Sequence, residues 1–221
     1  MSHGQETDRL LGVKGESEMN RKYELTNETK KMFGRTLYRI RALKSFGNVT
    51  AGELGGWIEK EENLSQEGLC WVYGNALVYG SALVSGSARV FGDALVYDNA
   101  RVSGNARVSG DAEVSGNARV SGNARVSGNA RVSGNAQASG DMVVQKTRDY
   151  LTFGPAGRRN DITTFGRTDK GVVVVRCGCF YGTLDEFAEA VEKKHGNNVY
   201  GKEYRAAIEA AKVRFCEEEA A

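Results

Sequence analysis

Eleven valines recur at six-residue intervals from Val72 to Val132, and Ala138 keeps the phase in a twelfth slot. The unit reads Val-(Ser/Tyr/Phe)-Gly-(Asn/Ser/Asp)-Ala-(Arg/Leu), as in Val102-Ser103-Gly104-Asn105-Ala106-Arg107. A short fixed period specifies a solenoid, because each unit buries its apolar face only by stacking on its neighbours. The Ala of one unit and the Val that opens the next stand two residues apart and share one side of a short strand. Ala76 with Val78 and Ala124 with Val126 are such inward pairs, whereas Arg125 and Ser127 point outward. Gly followed by Asn, Ser or Asp is a turn signal, since these residues accept positive φ at low cost. The chain therefore bends once per hexad.

This pattern resembles the hexapeptide-repeat, left-handed parallel β-helix family, in which three hexads make one triangular coil. The resemblance implies a mainly β chain, with a parallel β-helix of about four coils over residues 72–143. An N-terminal β cap and a small C-terminal α+β domain would frame it. Positions eighteen apart then stack at about 4.8 Å. In that register Arg89, Arg107 and Arg125 form a surface ladder on one face, and Arg101 and Arg119 continue to Gln137 on the next. Leu77, Leu95, Glu113 and Arg131 occupy the third face. Tyr73 falls over Phe91, and Tyr79 over Tyr97. Exposed apolar patches mark interfaces. Tyr73, Leu77, Tyr79, Leu83, Phe91, Leu95 and Tyr97 are therefore the expected oligomer interface, and a homo-oligomer is the expected state. The arginine ladder reads in two ways, as an anion-attracting surface or as a charged sheet face that discourages lateral aggregation.

Lys plus Arg number 30 and Asp plus Glu 28, so overall charge neither favours nor excludes nucleic acid. No apolar run reaches the length of a membrane span, and no signal-peptide core is present. The four cysteines, Cys70, Cys177, Cys179 and Cys216, are scattered and form no disulfide framework. Reduced thiols fit the cytoplasm. Residues 1–18 are polar and aperiodic, which predicts a disordered tail with Met19 as a candidate natural start.

Residues 19–71 read as the N-terminal cap. Within Arg35–Leu43 the alternation places Thr36, Tyr38, Ile40 and Ala42 toward the core. Gly55-Gly56-Trp57-Ile58-Glu59, then Glu61-Glu62-Asn63-Leu64-Ser65 and Trp71-Val72, lead into the hexads. This combination resembles a group of bacterial and phage hexapeptide-repeat proteins that carry transferase or hypothetical labels only. A solenoid end exposes strand edges and core side chains, and Trp57 and Trp71 are the expected plugs.

Residues 144–221 change composition. Tyr150–Pro155, Asp161–Phe165 and Gly171–Phe180 read as three strands. Thr183-Leu184-Asp185-Glu186 is a capping box that opens a helix ending in Lys193-Lys194-His195-Gly196. A second helix is expected from about Val199 to Phe215, with Tyr204, Ile208, Ala211 and Phe215 inward. The phrases Phe153-Gly154-Pro155 through Phe165 and Cys177-Gly178-Cys179-Phe180 through Phe187 resemble a small domain of phage and mobile-element proteins.

The hexapeptide-repeat resemblance implies acyl transfer with a histidine base in a loop at a subunit interface. No histidine and no interrupting loop lie within residues 72–143. His195 falls at a helix end, where the helix dipole alone favours it. No catalytic residue is assigned, and no metal or cofactor is expected. Cys177, Cys179, Cys216 and His195 could in principle hold zinc, but C-x-C without a second pair is a weak signal. Buried cysteine commonly serves as a small apolar residue. The strongest local site is an anion-binding loop of Arg158, Arg159 and Asn160, supplemented by Thr163, Thr164 and Lys170. Against it stands the option that Asp161 simply pairs with its neighbours. The expected function is a non-catalytic, phage-type accessory binding protein with the β-helix as rigid scaffold. Its C-terminal domain would engage a host target, antagonising host defence, or an anionic ligand such as a nucleotide or nucleic acid. The alternative is a divergent hexapeptide-repeat acyltransferase.

Overall fold

The structure, a computed structural model, describes residues 21–215. The expectations for residues 1–18, for Met19 and for Cys216 fall outside them. The chain opens with a hairpin of β1 (Tyr23–Met32) and β2 (Arg35–Ala42), followed by β3 (Leu54–Ile58). Twelve two-residue strands follow at hexad spacing, from β4 (Trp71–Val72) to β15 (Gln137–Ala138). The remaining strands are β16 (Met142–Val144), β17 (Tyr150–Ala156), β18 (Asp161–Thr168), β19 (Val173–Cys177) and β20 (Phe180–Thr183). Two helices complete the described chain, Leu184–His195 and Val199–Phe215.

The hexads stack in the expected register. Arg107 pairs in parallel with Arg89 on one side and Arg125 on the other, and Arg119 pairs with Arg101 and Gln137. Each coil donates to the next through rungs such as Arg107 N to Ala124 O and Ser109 N to Val126 O, both 2.9 Å. Val72, Val90, Val108, Val126 and Val144 line up along one inner wall, fully buried. At two corners the turn residues add side-chain ladders. Asn99 bonds to Asn117 and Asn117 to Asn135 at 3.3 and 3.1 Å. Asn105 bonds to Asn123 and Asn123 to Asp141 at 3.2 and 2.9 Å.

The solenoid has about five turns, one more than the twelve hexads supply. The first turn is irregular. Ile58 pairs with Val78, Leu64 bridges to Val84 and Val72 pairs with Val90, so Ile58, Leu64 and Val72 fill the three inward slots. Gly55 and Gly56 permit close approach here. A Cβ on Gly55 would lie 2.6 Å from Ile40, and one on Gly56 2.7 Å from the Ala76 carbonyl. The amide of Asn63 replaces missing backbone partners, donating to Gly80 O and Ala82 O at 3.1 and 2.8 Å. The Tyr23 hydroxyl sits between the Leu64 and Glu61 carbonyls, at 2.7 and 2.9 Å. Trp71 takes an outward slot beside Arg89 but is fully buried between the rings of Tyr23 and Phe46, within the main core cluster.

Trp57 behaves differently from the expected plug. It occupies an outward slot beside Leu77 and packs on the outer face with Leu37 and Tyr79. The hairpin therefore has two buried sides: Ile40 and Ala42 join the main core, while Leu37 covers the solenoid exterior. A register shift between Arg39 and Arg41 accompanies this, and Thr36 and Tyr38 stay half-buried.

At the far end, β16 pairs in parallel with the last coil and antiparallel with β18, so one nine-stranded sheet runs from the solenoid into the C-terminal unit. Orphaned backbone groups of the last coil are met by side chains. Thr147 Oγ1 accepts from Arg131 N at 3.1 Å, Thr164 Oγ1 from Gln137 N at 2.9 Å and Tyr181 Oη from Asp141 N at 3.0 Å. The C-terminal unit has a fourth strand, because the stretch expected as one strand over residues 171–180 divides into β19 and the start of β20. Gly178, at φ +58°, turns the chain between Cys177 and Phe180 inside an apolar run that lacks an obvious break. The Thr183–Glu186 capping box forms in both directions, at 3.2 and 2.8 Å.

Two glycines separate backbone strain from crowding. Gly104 (φ +66°) would place a Cβ 3.0 Å from Gly122 N, whereas Gly134 (φ +65°) has nothing within 4 Å. Gly134→Ala is expected to cost roughly 1–2 kcal/mol from its left-handed φ alone. Gly104→Ala should cost about 1–3 kcal/mol more, because the next coil must move. Urea midpoints of the two variants measure the difference, and equal midpoints would show that the coils are not closely stacked.

Candidate functional site

The predicted anion loop is the start of a larger cleft. Gly157 (φ +70°) lies so close to Tyr204 that no side chain fits between them, and its N–H donates to Glu203 Oε2 at 2.9 Å. This docks the loop on the second helix. Arg205 fixes the other wall, donating to Glu192 Oε2 at 2.9 Å and to the Gly196 carbonyl at 2.8 Å. The result is a cleft of about 680 Å³ lined by Arg158, Arg159, Lys194, His195, Asn198, Tyr200 and Tyr204. Among the described residues no carboxylate lines it. Arg159 Nε lies 3.3 Å from Asp161, an exposed pair, so the alternative weighed for this loop holds for that one arginine. The His195 imidazole packs against Tyr200 and Tyr204, with centroids 5.9 and 5.7 Å away. Burial, then the neighbouring Cys177 thiol, push the Tyr204 phenol up to about 12.

The other predicted ligands are placed elsewhere. Thr164 is buried and caps the solenoid through Gln137. Thr163 is buried with its hydroxyl 3.2 Å from Cys177 Sγ. Asn160, at φ +52°, lines a recess with Arg119 and Gln137. Lys170 belongs to a different cleft with Arg125, Asp141, Asp169 and Glu186, where charges of both signs meet. Lys194, Asn198 and Tyr200 were not singled out by the sequence. The basic Lys193-Lys194-His195 run was the available signal, but helix-dipole preference accounts for such a run equally well.

Of the seven apolar interface candidates, Leu77 and Tyr79 are buried under the chain's own hairpin with Leu37. Phe33 stacks on Tyr79 at 5.7 Å, and Tyr97 stacks on its other side at 5.2 Å. Leu95 packs on the same cluster. Tyr73 packs on the main core, Leu83 is half-buried and Phe91 stays exposed. Arg107 and Arg125 are exposed and Arg89 half-buried along their ladder, and Arg125 lies 3.8 Å from Asp169. Among the described residues no cluster of three or more His, Cys, Asp or Glu could hold a metal, and no helix is long and apolar enough to cross a membrane.

The register, the coil and the six-residue unit fit a hexapeptide-repeat-like β-helix, extended at one end by a hairpin and at the other by an α+β unit. The coils match the YdcK β-solenoid repeat over residues 72–86, 100–115, 112–127 and 124–140. A protein named uncharacterized acetyltransferase YdcK, from Escherichia coli (strain K12), is 51% identical over 37 residues. That stretch spans 17% of this chain and 11% of that protein.

Proposed function

We propose that this is a non-catalytic binding protein, in which the β-solenoid is a rigid scaffold and the C-terminal unit takes an anionic ligand. One observation carries the reading: two guanidiniums, an ammonium and an imidazole line a single cleft that no carboxylate of the described residues lines. Arg158 and Lys194 have no ion-pair partner among the described residues, so an incoming anion finds them available. Guanidiniums in a fixed fork suit the oxygens of a phosphate. The solenoid surface supports the scaffold role, since the outward slots of the later coils mostly repeat Arg, Ser and Asn from one coil to the next.

Titration calorimetry with inorganic phosphate tests this on the full chain. Arg158→Gln and Arg159→Gln are each expected to weaken phosphate binding about tenfold, the loss of one charge-assisted contact. Undiminished binding by the double variant would contradict the reading. The second reading, a divergent acyltransferase, is favoured by the name of the partial relative. Turnover of acetyl-CoA that His195→Ala abolishes would establish it instead.

A further inference from the structure

Next to the cationic cleft lies a second cavity of about 440 Å³, which shares Arg159, Lys194, His195 and Tyr204 with it. Its remaining lining differs in character: Phe180, Phe187, Ala190, Val191 and the two cysteines, Cys177 and Cys179, carry no charge. We propose that the two cavities form one bipartite site for a small molecule in which a flat aromatic ring carries a phosphate group. The inference rests on the anion-binding reading above and adds the part of the ligand that the cations do not recognise.

The geometry favours a ring over a flexible chain. Phe187 is flanked by Phe180 at 5.2 Å and by Tyr204 at 5.7 Å, in tilted and edge-on arrangements that aromatic groups prefer. His195 and Tyr204, 5.7 Å apart, stand at the junction of the two cavities, where the ring and the phosphate of such a ligand would meet. The mouth favours a phosphate over a carboxylate, because four cationic or potentially cationic side chains surround it and phosphate brings more charge and more acceptor oxygens. An apolar recess with few polar groups beside a polar mouth is the usual form of a small-molecule site. Water held in such a recess has few partners, and displacing it with an apolar ring improves affinity.

Three probes on the full chain separate the two layers of the argument: inorganic phosphate, phenyl phosphate and adenosine monophosphate. At least one aromatic phosphate is expected to bind ten times more tightly than inorganic phosphate and to be displaced by it competitively. The tighter of the two aromatic probes distinguishes a nucleotide from a simple aryl ester. Ala190→Trp, which narrows the recess, should lower the ratio of aromatic-phosphate to inorganic-phosphate affinity. Should that variant fail to fold, the ratio of affinities in the unaltered protein still decides. Phosphate binding with no aromatic advantage would overturn the bipartite site and leave the anion reading standing. Failure of all three probes to bind would overturn both.

Discussion

Val108→Asp is expected to abolish the cooperative thermal transition of the protein and to move it into the insoluble fraction. Val108 is fully buried, with Val90 and Val126 directly across the rungs on either side. Only alanines and valines of the same inner stack surround it within the coil, so a carboxylate there has no cation and no donor side chain. An unpaired buried charge costs several kcal/mol even after relaxation. Total stability of a folded chain is only about 5–15 kcal/mol. The damage also spreads, because a coil receives its stabilisation from its two neighbours alone. Arg107→Ala, one residue away and exposed, should stay within about 0.5 kcal/mol of the parent. Circular dichroism melts of the two variants make the comparison. An unchanged melt for Val108→Asp would mean that the valine stack does not hold the coils together.

The second large effect follows from removing the N-terminal hairpin. A chain that begins at Gly52 is expected to self-associate progressively with concentration, whereas the full chain keeps one size. The hairpin pairs with the free edge of β3, and its Leu37 covers Trp57, Leu77 and Tyr79. Its first strand also supplies Tyr23, which closes the irregular coil over Trp71. Deleting it leaves an unpaired parallel-sheet edge next to a continuous apolar patch, the combination that templates strand addition. Light scattering behind a sizing column would show it. A monodisperse truncated chain would mean that the edge is protected by something else.

These two predictions draw on different degrees of legibility in the sequence. The valine stack was readable because the hexad is local: inward and outward slots follow from a two-residue alternation, and stacking follows from the period. The role of the hairpin was not. Leu77 and Tyr79 were correctly read as outward apolar residues, but the sequence could not show that Leu37, forty residues upstream of Leu77, lies over them. An outward apolar residue looks the same whether a second copy or its own chain covers it.

The same division runs through the site. Arg158 and Arg159 stood out because glycine flanks the loop. Thr163 and Thr164 look like ligands in sequence, yet β18 turns both into the interior, one toward Cys177 and the other onto the solenoid end. Lys194 and His195 enter the cleft only because the second helix folds back and its Tyr204 meets Gly157. Such a meeting of residues 47 positions apart has no local signature.

Hydrogen–deuterium exchange of the full chain with and without phosphate tests the central claim most directly. The account predicts added protection in the segments around residues 156–161 and 193–204, and none in the coils. Protection centred on Arg89, Arg107 and Arg125 instead would place the anion on the solenoid face and contradict the division between scaffold and binding unit.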